Sequence, residues 1–444
     1  MSDPRAIALS VLHRVRKDAA FANLALDAEL SSAGRIDPRD AALATELAYG
    51  VLRRRSALDR ALSPLVKQPL PKLEPQVLEL LRLGAYQLLY TRVPPHAAVG
   101  ETVSTARRAG LERAAGLVNA VLRRLSQQGA PPPLDRQAAP LEALQVEASI
   151  PEWLAMALLK RLGADEAFEL AEAIDRPAPP TIRRNRLRID RDALVARLEE
   201  EAPGAEITAG AYSPDALRIE GAGPLPRLAA FRDGLFSQQD EAAQLVTLLA
   251  DPQPGAKVLD ACAAPGGKSC HLAELGAASV TSLDVHERKV RRIGEEAARL
   301  GLSVIRTIAA DAGAPLPPEV GGPFDLVLVD APCTGLGTLR RHPELRYRRG
   351  PDDVARMVAG QARILDNIAS SVRVGGILVY AVCSFLHEEG RGQVDAFLER
   401  HRGRFEPAPL EPRPTWSPDG WTLETWPHRG GMDGFFAARL VRRA

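Results

Sequence analysis

Two cysteines follow two separate predicted strands, and a third predicted strand leads into a glycine-containing turn. Cys333 comes shortly after the apolar run that ends at Asp330, and Cys383 comes directly after the run that ends at Val382. The turn is the stretch 262–268, which reads Cys-Ala-Ala-Pro-Gly-Gly-Lys. This combination would place a nucleotide-type cofactor and a soft nucleophile in one crevice. One reaction that needs both is methyl transfer to the unreactive C5 carbon of a pyrimidine.

The turn at 262–268 consists of small residues, which let a ligand approach the main chain and present amides at the start of a helix. It matches neither GxGxxG nor GxxxxGK[ST], so a dinucleotide pyrophosphate or a Walker-type phosphate fits poorly. Asp284 ends the next predicted strand, where an acid commonly accepts ribose hydroxyls, and Asp311 follows the third, where it could contact an adenine. Taken alone, the turn also fits an ordinary strand–turn–helix. The turn and both acids together favour S-adenosylmethionine, a nucleoside cofactor without phosphates. The residues of the turn are Cys262, Ala263, Ala264, Pro265, Gly266, Gly267 and Lys268.

The C5 carbon of a pyrimidine is a weak nucleophile, and a cysteine can activate it. Addition of a thiolate at C6 makes the ring enamine-like, so that C5 can attack a methyl sulfonium. A nearby cation assists deprotonation of the thiol, and Lys268 and Arg340 are candidates by location. A lone cysteine is usually a buried small hydrophobe, but two at neighbouring strand ends make that explanation weaker. Spacing does not rank the two thiols, and we assign Cys270 a structural role.

The loop after Cys333 contains two glycines and the basic pair Arg340 and Arg341. Its glycines permit close approach, and its cations could hold backbone phosphates around an extruded base. A solvated basic loop is the alternative, and both remain open at this point.

The composition is that of an ordinary globular protein, with 444 residues, 45% hydrophobic and 25% charged. This length predicts two or three domains. There is no run of 18 apolar residues and no signal-peptide pattern at the N-terminus, so we expect a cytoplasmic protein without a membrane segment. The four cysteines form no CxxC pair and the eight histidines show no ligand spacing, which predicts free thiols and no metal. Nothing suggests an oligomeric face, so we expect a monomer.

The net charge of +1 hides an uneven distribution along the chain. Residues 1–130 hold 19 Lys and Arg against 12 Asp and Glu, an excess of seven positive charges. A basic region of this kind indicates contact with RNA.

Apolar residues at helical spacing fill the first 130 positions, where no period-two alternation occurs. A linker then begins at the proline run 131–133. Residues 131–237 are expected to form a linker and a small α+β subdomain. Predicted helices cover 5–30, 39–62, 73–90, 96–109, 113–126 and 140–176.

From residue 238 to residue 444, strands and helices alternate, which predicts a parallel doubly wound sheet with its ligands at the carboxyl ends of the strands. A helix is predicted at 387–401, after the strand that precedes Cys383. The last strand lacks a preceding crossover helix and is expected to run antiparallel. The predicted strands are 256–261, 279–285, 303–309, 324–330, 376–383 and 434–441.

Five stretches of this sequence resemble the Fmu/Sun (RsmB-type) family of bacterial 16S ribosomal RNA cytosine-C5 methyltransferases, within the NOP2/Sun-type group. They are 234–243, 259–268, 330–344, 375–384 and 428–436.

The N-terminal stretches 81–90 and 118–125 resemble a NusB-type helical RNA-binding domain. That domain fused to this catalytic half is typical of the 16S enzyme. The resemblance implies a multidomain fold with an all-α NusB-like domain, a small α+β linker subdomain and a doubly wound, Rossmann-like class I methyltransferase domain.

The resemblance also implies roles for individual residues. Cys383 is the expected nucleophile that attacks C6, and Cys333 is expected to assist breakdown of the covalent adduct. Asp330 is expected to lie close to the target cytosine. Cofactor binding is implied for residues 262–268, Asp284, Asp311 and Asp330.

The leading hypothesis is therefore methylation of a cytosine carbon in 16S ribosomal RNA with S-adenosylmethionine. The same chemistry on transfer RNA or another RNA is a rival, against which the helical domain argues. A non-catalytic RNA-binding or antitermination factor is a rival from another class. Two thiols and an intact cofactor turn argue strongly against it, because binding alone needs neither.

Overall fold

The computed structural model describes residues 3–34 and 36–444. Met1 and Ser2, with which the predicted first domain begins, lie outside the described residues, as does Arg35. The chain divides into two compact units: the first comprises Met1–Arg176 and Leu339–Arg348, and the second comprises Pro177–Thr338 and Arg349–Ala444. The predicted domain boundaries at residues 130 and 237 stay predictions.

The first unit is helical, as the apolar spacing predicted. Proline and aspartate set helix starts: Pro4 lies in the first turn of the first helix, and the Asp3 carboxylate accepts a hydrogen bond from the Arg5 amide at 3.1 Å. The predicted helix 5–30 is two helices, with residues 18–21 between them. The helices are α1 (Pro4–Lys17), α2 (Ala22–Ser32), α3 (Pro38–Arg53), α4 (Arg55–Leu62), α5 (Pro75–Tyr90), α6 (Pro95–Arg108), α7 (Glu112–Gln128), α8 (Pro140–Val146), α9 (Glu152–Leu162) and α10 (Ala164–Asp175).

The second unit begins with the predicted small α+β part. Its strands form an antiparallel sheet in the order β2-β3-β1-β4. Strand β2 was not predicted, because its residues are largely exposed and carry no apolar alternation. The elements are β1 (Thr181–Arg184), α11 (Arg191–Glu201), β2 (Glu206–Ala209), β3 (Ala216–Glu220), α12 (Ala229–Arg232) and β4 (Phe236–Gln238).

The rest of the second unit is the predicted doubly wound sheet. Its strand order is β10-β12-β9-β8-β5-β6-β7, with β11 paired to β12. Strands β5 to β9 pair in parallel, and β12 runs antiparallel to β9, as expected. The elements are α13 (Glu241–Ala250), β5 (Lys257–Asp260), α14 (Gly267–Glu274), β6 (Ser279–Asp284), α15 (Glu287–Leu300), β7 (Ile305–Ala309), β8 (Phe324–Asp330), α16 (Leu345–Arg348), α17 (Pro351–Ile368), β9 (Val372–Val382), α18 (Arg391–Arg400), β10 (Phe405–Pro407), β11 (Thr422–Thr425), α19 (Pro427–Gly430) and β12 (Phe435–Arg442).

Apolar strands with both faces covered explain the continuous hydrophobic runs in the sequence. Successive residues of β5 point into different cores: Val258 packs with α13, α14 and α15, whereas Leu259 packs with α17 and α18. Single-turn 3₁₀ helices connect several elements. They are Ser63–Leu65, Leu70–Lys72, Leu225–Arg227, Pro318–Val320, Leu336–Thr338 and Ala369–Ser371.

One predicted helix begins later than expected. The helix predicted at 387–401 starts at Arg391, because residues 383–390 form a loop that holds buried polar contacts. Within residues 3–34 and 36–444, no helix is both long enough and apolar enough to cross a membrane.

The segment Leu339–Arg348 belongs to the helical first unit, although the second unit flanks it on both sides in sequence. The buried Arg346 guanidinium donates hydrogen bonds to the carbonyl oxygens of Arg53 and Ala148, at 3.2 and 2.9 Å. The Glu344 carboxylate accepts one from the Ala22 amide at 3.0 Å. These contacts tie the segment to the helices by buried polar groups.

Candidate active site

The parallel pairing brings the predicted site residues of the second unit to one edge of the sheet. Strand β5 lies between β6 and β8, and β8 pairs with β9 in a register that places Asp330 opposite Ala381. The carboxyl ends of these strands therefore carry the glycine turn, Asp284, Asp330 and the two cysteines at neighbouring positions.

The glycine turn connects β5 to α14 and is held against the next strand. The Ala263 amide donates a hydrogen bond to the Leu283 carbonyl oxygen at 2.7 Å. Gly266 caps α14 with φ +106°, a conformation that L side chains rarely adopt. A Cβ atom there would also lie 3.2 Å from the Ile293 side chain. Both facts explain why glycine occupies this position, where the first amides of the helix become available to a ligand.

Four acids surround this turn. The buried Asp260 accepts a hydrogen bond from the Ser269 hydroxyl at 2.7 Å, and burial raises the Asp260 pKa to about 7. Burial and then the charges of Asp260, Asp330, Asp284 and Asp311 raise the pKa of the Cys262 thiol. Cys262 therefore stays protonated, which agrees with a structural part in the turn.

The two acids predicted to bind a nucleoside are held by local amides. The Asp284 carboxylate accepts from the His286 amide at 3.0 Å, and the Asp311 carboxylate accepts from the Gly313 amide at 2.8 Å. The Asp311 side chain is nearly half exposed. Each carboxylate is thus fixed in direction while it retains capacity for further hydrogen bonds.

These residues fit S-adenosylmethionine. Carboxylates at the ends of successive strands accept hydrogen bonds from ribose hydroxyls and from amino groups. The charges of Asp284, Asp311 and Asp330 also complement a positively charged sulfonium. The small side chains of the turn let a ligand come close to its main-chain amides. The residues that would hold the cofactor are therefore the turn 262–268, Asp284, Asp311 and Asp330.

Lys268 links the turn to the strand that precedes Cys333. Its Nζ atom lies 2.6 Å from Oδ2 of Asp330 and 5.0 Å from the centroid of the Phe435 ring. Burial lowers the Lys268 pKa, but the charge and hydrogen bond of Asp330, and then the Cys383 and Asp260 charges, outweigh it, so that the net pKa is raised. The lysine is therefore a permanent cation whose field reaches the sulfur of Cys383.

The two predicted cysteines are in contact. Their Sγ atoms lie 3.3 Å apart, and both residues are half-buried free cysteines. The hydrogen bond to Cys383, then burial, then the charges of Cys383 and Glu389 raise the pKa of Cys333 well above its usual value. Either sulfur can be the donor in this contact, and the raised pKa favours a Cys333 that keeps its proton.

The loop after Cys333 folds onto the main chain of Cys383. The Gly337 amide donates to the Cys383 carbonyl oxygen at 3.0 Å, and the Gly434 amide donates to the Gly337 carbonyl oxygen at 2.8 Å. A Cβ atom on Gly337 would overlap the Gly434 carbonyl group. The glycines of this loop predicted a close approach, but nothing in the sequence indicates that its main chain contacts that of Cys383.

The structure places Arg340 and Arg341 in the segment Leu339–Arg348 of the first unit. Arg340 is only 7% exposed, and its carbonyl oxygen accepts a hydrogen bond from the Arg53 guanidinium at 3.3 Å. Arg341 is half-buried and is therefore the more accessible of the two. Their contact with RNA phosphates stays a prediction, as does a role for Arg340 in thiol deprotonation.

Glu389, a buried residue at this edge of the sheet, was not among the predicted site residues. It accepts hydrogen bonds from residues that directly follow the two cysteines. Its neighbour Glu388 is exposed, and two adjacent glutamates in sequence are typical of the charged surface of a helix. In the part of the chain that the structure describes, no group of three or more His, Cys, Asp or Glu residues could hold a metal ion.

Comparison with known families matches three successive parts of the chain. A family model described as 16S rRNA methyltransferase RsmB/F matches residues 246–441. The NusB family model matches residues 2–127, and a model described as RsmF/B-like, ferredoxin-like domain matches residues 150–226.

Relatives are similar to this chain over nearly its whole length. The probable ribosomal RNA small subunit methyltransferase B of Bacillus subtilis (strain 168) is 38% identical, over 99% of this chain and 98% of the relative. Ribosomal RNA small subunit methyltransferase B of Pseudomonas putida is 38% identical, over 100% of this chain and 99% of the relative. The crystal structure of a protein designated PH0851 matches with a TM-score of 0.83 and 26% identity, over 99% of both chains.

Proposed function

The chain belongs to the 16S rRNA methyltransferase RsmB/F family, and we propose on this basis that it methylates C5 of a specific cytosine in 16S ribosomal RNA through a covalent cysteine–C6 adduct. It is an RNA methyltransferase that depends on S-adenosylmethionine, which supplies the electrophilic methyl group. The observation that carries the proposed mechanism is the 3.3 Å distance between the Sγ atoms of Cys333 and Cys383.

Cys383 is the nucleophile in this proposal. Its thiolate bonds to C6 of the ring, C5 becomes electron-rich and accepts the methyl group, and the C5 proton passes to a base. The C6–sulfur bond then breaks and returns the thiolate. The cation of Lys268 and the thiol of Cys333 both stabilise negative charge on Cys383.

Cys333 is the residue that assists release of the adduct. Its raised pKa keeps a proton on its sulfur at neutral pH, and this sulfur touches Cys383. A group that remains a thiol is a poor competitor for C6, which supports the assignment of different roles to the two cysteines.

Asp330 and the turn hold the two substrates in this proposal. The turn 262–268, Asp284 and Asp311 bind the cofactor. Asp330 binds it as well and lies next to the target base, where a carboxylate can accept a hydrogen bond from the exocyclic amine of cytosine. Uracil lacks this amine, so Asp330 favours cytosine.

The RNA partner in this proposal is 16S ribosomal RNA; of the predicted basic pair Arg340 and Arg341, the half-buried Arg341 is the more accessible to its phosphates. We expect a monomeric cytoplasmic enzyme. The direct test is bisulfite sequencing of ribosomal and transfer RNA from cells with and without this protein. One 16S cytosine should lose its protection when the protein is missing. A protected cytosine lost from transfer RNA instead would contradict the proposed substrate.

Binding of S-adenosylhomocysteine provides a second test, against a non-catalytic RNA-binding factor. A ligand at 100 times its Kd stabilises the folded state by about 2.7 kcal/mol. We expect a clear rise in melting temperature with this ligand, and a pure RNA-binding module would show none.

A further inference from the structure

Glu389 is a buried carboxylate in the loop after β9, and the mechanism above does not use it. It is fully buried. Its Oε1 atom accepts hydrogen bonds from the Thr334 amide at 2.7 Å and from the Gln361 side chain at 3.3 Å. Its Oε2 atom accepts from the hydroxyls of Thr334 and Ser384, at 2.5 and 2.6 Å. A charge buried this deeply persists only when donors of this kind surround it.

The donors lie next to the two cysteines in sequence. Thr334 directly follows Cys333, and Ser384 directly follows Cys383. One carboxylate therefore joins the chain segments that carry the two sulfurs. The Gln361 amide of α17 strengthens this link on the other side of Cys333, because it also donates to the Pro332 carbonyl oxygen at 2.9 Å.

The position of Glu389 is itself fixed. The hydroxyl of Tyr380, a buried residue of β9, donates to the Glu389 carbonyl oxygen at 2.6 Å. The Gly390 amide donates to the Leu386 carbonyl oxygen at 3.0 Å and closes the loop. A carboxylate held at both its main chain and its side chain can define a distance between two other groups.

We propose that Glu389 is a positioning residue that holds the sulfurs of Cys333 and Cys383 in contact and, through its charge, keeps the two sulfurs chemically different. This inference rests on the proposed roles of the two cysteines. Glu389 touches neither substrate in this account and acts only through its neighbours.

The groups around Cys333 explain how the charge of Glu389 keeps the two sulfurs chemically different. The groups that act on this thiol are Cys383, which directly follows β9, Glu389 of the same loop, and the Gly335 main chain, whose hydrogen bond lowers the Cys333 pKa. The Glu389 charge adds to the hydrogen bond of Cys383 and to burial in raising the Cys333 pKa. Removal of that charge alone should make Cys333 easier to ionise.

Two substitutions separate geometry from charge. In Glu389→Gln, the amide oxygen can keep the contacts with the Thr334 amide and Gln361, and the new amino group can donate to the two hydroxyls, which rotate to accept. Glu389→Gln therefore keeps the hydrogen bonds of the side chain and loses its negative charge. Glu389→Ala loses both the hydrogen bonds and the charge. Glu388→Gln is the matched control, since the neighbouring Glu388 is exposed.

The test measures the alkylation rate of each cysteine against pH in the full-length protein without RNA, by peptide mass spectrometry. In Glu389→Gln, the pH midpoint of Cys333 should fall below that of the wild type, while the melting temperature stays close to the wild-type value. A midpoint unchanged from that of Glu388→Gln would overturn the charge role.

Turnover on 16S RNA provides the second measurement. A displaced reacting group costs on the order of 100-fold in rate, so Glu389→Ala should lower kcat by about that factor, with little change in the KM for RNA. If kcat of Glu389→Ala stays within about twofold of Glu388→Gln, the positioning role is wrong. Failure of the proposed function would appear separately, as methyl transfer by Cys383→Ala in an otherwise unchanged protein.

Discussion

The ammonium group of Lys268 lies 2.6 Å from the carboxylate of Asp330, and this ion pair connects the cofactor turn to the strand that leads to Cys333. Both side chains are mostly buried, so the pair is weakly screened by solvent. The same cation acts on the Cys383 sulfur. One lysine thus connects the cofactor-binding and nucleophilic parts of the site.

Replacement of Lys268 by methionine should slow methyl transfer. The variant loses the buried cation that pairs with Asp330 and whose field reaches the Cys383 sulfur, and it leaves the Asp330 carboxylate without its partner, so kcat should fall. The measurement is kcat for methyl transfer to 16S RNA. Lys257→Met is the control, because Lys257 is exposed at the start of β5. A kcat equal to that of the control would exclude this role.

Replacement of Cys333 by alanine should trap the enzyme on its RNA. Without the thiol that assists release, the bond between Cys383 and C6 persists after methylation. A denaturing gel with labelled 16S RNA should then show a slowly migrating protein–RNA species that the wild type lacks.

Cys270→Ala is the control for this experiment, because Cys270 is buried in a core cluster on α14. It should give no such species. If Cys333→Ala also gives none and releases its product as fast as the wild type, then Cys333 is not the release residue.

Substitution of Gly337 by alanine should damage catalysis more than folding. The new Cβ would overlap the Gly434 carbonyl and lie 3.0 Å from the Cys383 carbonyl carbon, so the loop must move away from the nucleophile. We expect kcat to fall by about 100-fold. Gly360→Ala is the matched control, because that helix position has open space around it and should retain full activity. Normal turnover by Gly337→Ala would contradict the importance of this contact.

Asp260 should make the protein less stable as the pH rises. Its pKa is about 7 in the folded protein against an ordinary value of 3.8, so between these values the folded state holds a proton that the unfolded state has lost. The stabilisation from this group is complete below about pH 4 and is lost as the pH rises through 7. Its size is at most on the order of 4 kcal/mol.

The variant Asp260→Asn removes this titration. The melting temperatures of wild type and variant are measured from pH 4 to pH 8. The melting temperature of the variant minus that of the wild type should increase as the pH rises. A difference that does not depend on pH would show that Asp260 does not titrate in this range.

Much of the site could be predicted because its residues are close together in sequence. The turn 262–268 carries its small residues in one stretch, and Asp284 follows a strand whose apolar run is unmistakable. Because parallel strands end at one edge of a sheet, Cys333 and Cys383 were expected near the same crevice, and their Sγ atoms lie 3.3 Å apart.

The missed features depend on contacts between distant positions. The buried carboxylate of Glu389 accepts a hydrogen bond from the amide of Thr334, which lies 55 residues away in sequence. Apolar periodicity carries no information about such a pair. The segment Leu339–Arg348 joins the helical unit through buried arginines, a residue type that sequence patterns assign to the surface. Strand β2 was missed because its residues lack the alternation that burial of one face imposes.

The most direct test of the account uses 16S RNA labelled with tritium at C5 of cytosine. Wild-type protein with S-adenosylmethionine should release one tritium to water for each methyl group that it transfers. Cys383→Ala should release none and transfer none, while it still gains heat stability from S-adenosylhomocysteine. Tritium release and methylation by Cys383→Ala at rates near those of the wild type would contradict the assignment of Cys383 as the nucleophile.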